Sequence, residues 1–193
     1  MNIKFLAIYM FLFVAFISCK NNKNDTNETQ EEIVKETVEE NVEVKELIIM
    51  MEPRSNSNTK GKVTFSEKEG IVSMHGEFEG LTPGMHAIHL HEKADCSAPD
   101  GTSTGGHWNP TFERHGKWGD AEGYHKGDIG NFEADENGNG MIHFETDQWC
   151  IGCDDETKNI LGKSVIVHEG VDDFVTQPTG DAGGRISCGG IIK

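Results

Sequence analysis

The sequence is short of positive charge, of aromatic residues and of helical pattern. Seventeen Lys and Arg stand against 33 Asp and Glu, a formal net charge of −16. That balance argues against nucleic acid as a partner, because neutralising phosphates needs Lys and Arg. It argues equally against a polybasic membrane contact. Aromatic residues make up 8% of the chain, whereas Gly occurs 23 times. This composition suits a loop-rich β protein better than a helical bundle. No long stretch keeps the apolar period of a helix. There is one long apolar run, Phe5–Ile17. It is too short for a comfortable transmembrane helix and fits the apolar region of a secretory signal.

The residues around that run extend the expectation. Lys4 supplies a basic start, and "FISC" ends the run at Cys19. The segment resembles a bacterial lipoprotein signal, with small Ser18 before the cysteine. Residues 1–18 are therefore expected to be a signal peptide. Cys19 is expected to carry acyl chains that hold the protein to a membrane, since one chain alone binds only marginally. Residues 19–45 are rich in Asn, Thr, Glu and Lys and cannot bury enough surface to fold alone, so they read as an acidic tether. Residues 46–193 remain as one folded domain, long enough for a sizeable core. Its expected place is the cell envelope, facing the periplasm or the outside, where disulfides persist.

Within the domain, short runs alternate apolar and polar residues between Gly-rich turns. They are "ELIIMM", "KVTFSE", "IVSMHGEFEG", "MHAIHLHE", "DIGNFEAD", "GMIHFETD", "SVIVHE" and "RISCGGII". Such alternation marks half-buried strands. "DENGNG" (135–140) carries a hairpin signal. Eight short strands predict an all-β fold, an antiparallel sandwich or barrel. Two long segments, 92–126 and 169–184, interrupt the strands, and loops of that length are usually functional.

The histidines gather around those segments. His89 and His91 are two apart in a predicted strand and so share a face. His107 lies in the first long segment, and His168 ends the strand before the second. Four imidazoles in a flattened arrangement suit Cu(II). The first segment also carries His115, His125 and Asp128. With His107 they make a three-histidine, one-carboxylate set that suits tetrahedral zinc. Seven residues for two four-coordinate sites means one is shared, and His107 can bridge through its two ring nitrogens. His75 and His143 read as ordinary surface or core histidines.

"GLTPGMHAIHLHE", "GGHWNP", "HKGDIGN", "VIVHE" and "GDAGGRISCGGI" together resemble the copper/zinc superoxide dismutase family in order and spacing. That family is itself a named example among β-sandwich architectures. The resemblance implies an eight-stranded antiparallel Greek-key barrel whose two long loops hold the metals outside it. It implies copper on His89, His91, His107 and His168, and zinc on His107, His115, His125 and Asp128. Asp172 resembles the carboxylate that links His89 to His115, with Asp173 as a rival in the same "DD" pair. Arg185 resembles the guanidinium that docks superoxide beside copper, and His86 a structural histidine. The implied reaction converts superoxide to oxygen and hydrogen peroxide by a copper redox cycle, with His107 taking and giving a proton. The implied role is protection of the envelope. Monomer and homodimer are both open.

Four cysteines fall in the domain. The resemblance pairs Cys96 with Cys188. Cys150 and Cys153, in "WCIGC", depart from the family pattern. They read as a local disulfide bracing the loop before "ILGKSVIVHE", with a redox-active pair and a copper-acquisition site as alternatives. Pro178 stands where a steering Lys would align, which leaves Lys117 and Lys126 as candidates for that role.

Overall fold

The computed structural model describes residues 44–193. The signal peptide, most of the tether and Cys19 lie outside the described residues. Eight strands follow in chain order: β1 (Lys45–Pro53), β2 (Lys60–Lys68), β3 (Ile71–Glu79), β4 (Gly84–His91), β5 (Gly130–Ala134), β6 (Gly140–Thr146), β7 (Ser164–His168) and β8 (Arg185–Gly190). They close into an antiparallel barrel in the order β1-β2-β3-β6-β5-β4-β7-β8. The crossings from β3 to β4 and from β6 to β7 give it Greek-key connectivity. The all-β barrel expected from the eight alternating runs is the fold observed.

β3 shows why the pattern works. Val72, Met74 and Phe78 face the core, while Ile71, His75, Glu77 and Glu79 face outwards. Each buried aliphatic or aromatic side chain of this kind contributes about 1.5–3 kcal/mol relative to exposure. β4 and β7 break the rule. Residues 86–91 of β4 and all of β7 are buried. Their inner positions, Ile88, Leu90, Val165 and Val167, fill the core. Their outer positions are covered by the two long loops, 92–129 and 169–184.

A third connection, 147–163, also folds over the barrel. Trp149, Ile151 and Ile160 insert into the core from it, and Cys150 and Cys153 are joined by a disulfide. The Trp149 indole donates to the Lys126 carbonyl at 2.8 Å, tying this loop to the first long loop. The β5–β6 hairpin turns on Asp135, whose Oδ1 accepts from the backbone N–H groups of Asn137 and Asn139.

Candidate metal centre

β4 presents His89 and His91 on its outer face. β7 runs beside it with Ile166 opposite His89 and Ser164 opposite His91. His168, two residues beyond Ile166, therefore reaches the same face. The first long loop returns past β4, where His91 and His107 form an isolated bridge. Backbone bonds from Leu90 to Gly127 and from Trp108 to Leu90 hold both arms of that loop against the strand.

Two groups result. The donor atoms of His89, His91, His107 and His168 all lie within 4.8 Å of one another, as do those of His107, His115, His125 and Asp128. All seven residues are buried. Buried polar atoms are normally hydrogen-bonded, yet four ring nitrogens here make no hydrogen bond among the described residues. They are His89 Nδ1, His107 Nε2, His115 Nδ1 and His125 Nδ1. All four belong to the two groups. Unpaired nitrogens converging beside a carboxylate are what a bound cation would satisfy, so the donor sets fit metal ions.

The opposite ring nitrogens are anchored. His91 Nδ1 lies 3.0 Å from the Gly105 carbonyl, and His168 Nδ1 lies 3.3 Å from that of Gly183. His89 Nε2 and His115 Nε2 each sit 2.9 Å from one oxygen of Asp172. Asp172 therefore spans the two groups, while Asp173 caps a turn through the backbone N–H groups of Val175 and Thr176. Asp128 sits 2.9 Å from His107 Nδ1 and 3.0 Å from His115 Nδ1. Its Oδ2 also accepts the His125 backbone N–H at 2.7 Å.

Charge follows this arrangement. Burial lowers the pKa of His91 and His168, and the neighbouring imidazoles push the same way, so both stay neutral with a lone pair to give. His107 is pushed down to about 4, first by burial and then by the His89 charge. His115 goes the other way. Burial opposes its charged form, but the bond to Asp172 and the charges of Asp128 and Asp172 outweigh that and lift it to about 9. Asp128 and Asp172 are buried, which disfavours their anions. Hydrogen bonds from the surrounding histidines nevertheless hold both well below the usual carboxylate range.

Arg185 opens β8 directly opposite His168. Its Nη1 donates to the Gly101 carbonyl at 2.8 Å and to Thr104 Oγ1 at 2.9 Å. Among the described residues neither Nε nor Nη2 is used, so one edge of the guanidinium is left for an anion. The Cys96–Cys188 disulfide fastens this part of the first loop to β8, and Arg54 Nε donates to the Cys96 carbonyl at 2.9 Å. His86 is buried between the carbonyls of His168 and Thr82, at 2.8 Å from each. Lys126 is turned towards the 147–163 loop, where its amine bonds Gln148.

Four further residues support the site without belonging to either donor group. Asn131 clamps the Asp172 backbone with two bonds of 2.8 and 2.9 Å. Gln177 does the same for His115 with two of 2.9 Å, joining the two long loops. Thr104 holds Arg185. Gly180 adopts φ +71°, and a Cβ there would overlap the Asp172 carboxylate, so only Gly fits. Their amide, hydroxyl and hydrogen side chains gain meaning only from tertiary neighbours. Asn131 and Gly180 stand in the quoted "HKGDIGN" and "GDAGGRISCGGI", yet nothing local in those runs announces their contacts with Asp172.

A family model described as copper/zinc superoxide dismutase matches residues 59–191. The chain is 35% identical over 141 residues to the copper-zinc superoxide dismutase 2 of Mesembryanthemum crystallinum, covering 69% of this chain and 87% of that protein. Among solved structures it is similar to a double mutant of a SOD-like protein from Bacillus subtilis. There the TM-score is 0.67 and the identity 32%, over 76% of this chain and 97% of the other. It is also similar to the clock protein EA4, with a TM-score of 0.65 and 35% identity over 76% of this chain and 94% of that one.

Proposed function

The chain belongs to the copper/zinc superoxide dismutase family, and from that membership we propose that the two histidine groups are its copper and zinc sites, joined by His107. Its reaction is the dismutation of superoxide and its cofactors are copper and zinc. The single observation that supports the site assignment is the set of four buried ring nitrogens without hydrogen bonds, all pointing into these groups. His89 Nδ1, His91 Nε2, His107 Nε2 and His168 Nε2 would hold copper. The Nδ1 atoms of His107, His115 and His125, with Asp128, would hold zinc.

Copper, when bound, supplies one-electron redox chemistry, and zinc supplies fixed positive charge without redox. The chain does the rest. Two superoxide ions and two protons give one oxygen and one hydrogen peroxide. Arg185 binds and orients the anion with its free edge, and Gly101 and Thr104 keep that edge in place. His107 Nε2 is the buried atom able to hold a proton for the product, with its Nδ1 kept on the Asp128 side. Asp172 orients His89 and His115 together, so the two sites share one frame. The net charge of −16 does not prevent anion capture, because exposed charges are screened within about 8 Å at physiological salt.

Replacing Arg185 by Gln tests the docking role. The second-order rate with superoxide should fall roughly tenfold or more, within the range that local positive fields contribute, with metal content unchanged. An unaltered rate would remove Arg185 from the mechanism.

The protonated His115 makes a second prediction. In the metal-free protein its pKa of about 9 exceeds the ordinary 6.5, so at pH 7.5 it carries a proton that zinc must displace. Calorimetry in buffers of different ionisation enthalpy should show about one proton released per zinc. The same raised value stabilises the metal-free fold fully below pH 6.5 and is lost as pH rises through 9. His107, lowered to about 4, acts oppositely: its contribution is intact above 6.5 and is lost as pH falls towards 4.

We place the enzyme in the cell envelope, anchored through Cys19, where it would protect envelope components from superoxide. The apolar run before Cys19 supports this. The Cys19→Ser protein should move from the membrane to the soluble fraction; unchanged membrane retention would sink the anchor.

A further inference from the structure

We propose that His75 and His143, with Glu145, form a surface site for a divalent transition-metal ion, Cu(II) above all, separate from the two groups that share His107.

The β3–β6 ladder puts His75 directly opposite His143. Both lie on the outward face of their strands, and their side chains are 41% and 59% exposed. Their ring centroids are 6.5 Å apart. Glu145 follows His143 by two residues and so shares its face, with Oε1 at 3.3 Å from His143 Nε2. Ser73, the cross-strand partner of Glu145, donates to that oxygen at 2.7 Å and fixes the carboxylate beside the imidazoles. Glu77, on the other side, is held by Lys62 at 2.8 Å and is 4.0 Å from His75. The available donors are therefore two imidazoles and one carboxylate.

That donor set is borderline in softness and suits copper and zinc, with Cu(II) bound most tightly. Directly opposed cross-strand residues have Cβ atoms about 5 Å apart. Exposed imidazoles there can rotate onto one ion at about 2 Å without moving the barrel. Once the first imidazole binds, the second is already at the ion, and this effective concentration adds roughly 10²-fold in affinity. Neither ring belongs to the hydrophobic core. As partners without an ion they gain little, since like charges placed opposite are unfavourable when both are protonated. β5 lies between β6 and β4 in the barrel, so this face is not the one that carries His89 and His91.

The test uses the full-chain protein, loaded with copper and zinc and dialysed against buffered free Cu(II) at pH 7.5. Bound copper is counted by atomic emission, and the added ion is read by electron paramagnetic resonance. Wild type should take up one further equivalent with a nitrogen-coordinated signal. His75→Asn and His143→Asn should each weaken that binding about 100-fold, and Glu145→Gln should weaken it less. The dismutation rate at limiting copper should stay the same in all three. The readout is the difference between wild type and variants, so it holds however the other two groups fill. No further equivalent in wild type would overturn the proposal, as would a further equivalent bound equally well by both His variants.

Discussion

Asp172→Asn should cost the protein 10- to 100-fold in metal affinity or in dismutation rate. The side chain keeps its size, so packing is not at issue. What changes is hydrogen bonding. The Asp172 oxygens each face the Nε2 of one histidine, His89 on one side and His115 on the other, both at 2.9 Å. A carboxylate accepts from both. An amide has one accepting oxygen, and its NH₂ would face an N–H. One histidine then loses its anchor, and its Nδ1 no longer points reliably into its group. His115 also loses one of the two carboxylates that hold it near pKa 9, so its proton should titrate closer to neutrality. Zinc affinity by competition with a chelator, and the histidine titration by NMR on metal-free protein, read the two effects separately. Unchanged affinity would show that the Asp172 link is not needed to orient the ligands.

Removing the Cys96–Cys188 disulfide should destabilise the metal-free protein by about 4–5 kcal/mol, the chain-entropy value for so long a closed loop. The two cysteines are 92 residues apart. Cys188 is fully buried in β8, between Ile166 of β7 and Glu52 of β1. The bond therefore holds the start of the first long loop on the barrel wall, beside the Gly101 and Thr104 atoms that position Arg185. The Cys96→Ala, Cys188→Ala double variant should unfold at markedly lower urea. It should also lose catalytic rate at full metal content, because Arg185 is less well held. Cys150 and Cys153, only three residues apart, make the internal control. The same model gives about 2 kcal/mol for that short loop. Equal urea midpoints for the two pairs of variants would contradict the entropic account.

Strand positions were readable because the apolar period of two survives wherever one face meets water, as in β3. The pattern was weakest in β4 and β7, where the loops bury the outer face too. That departure marks the strands that carry His89, His91 and His168. The histidines themselves were legible because metal-ligand chemistry restricts the residue types allowed. Their supports were not. Asn131, Gln177 and Thr104 are common polar residues whose partners lie 41, 62 and 81 positions away in the chain. Lys126, a candidate for steering by its place in the first loop, bonds Gln148 of the 147–163 loop through its amine. That contact exists because Trp149 docks on the Lys126 carbonyl, a pairing no local pattern announces. His75 and His143 looked ordinary singly. Only the β3–β6 register sets them face to face.

The most direct measurement is superoxide decay by pulse radiolysis, comparing the protein loaded with copper and zinc against its metal-free form. Fast second-order decay in the loaded form alone is the expected result. Full copper occupancy without catalysed decay would contradict the assignment of these seven residues to a dismutase centre.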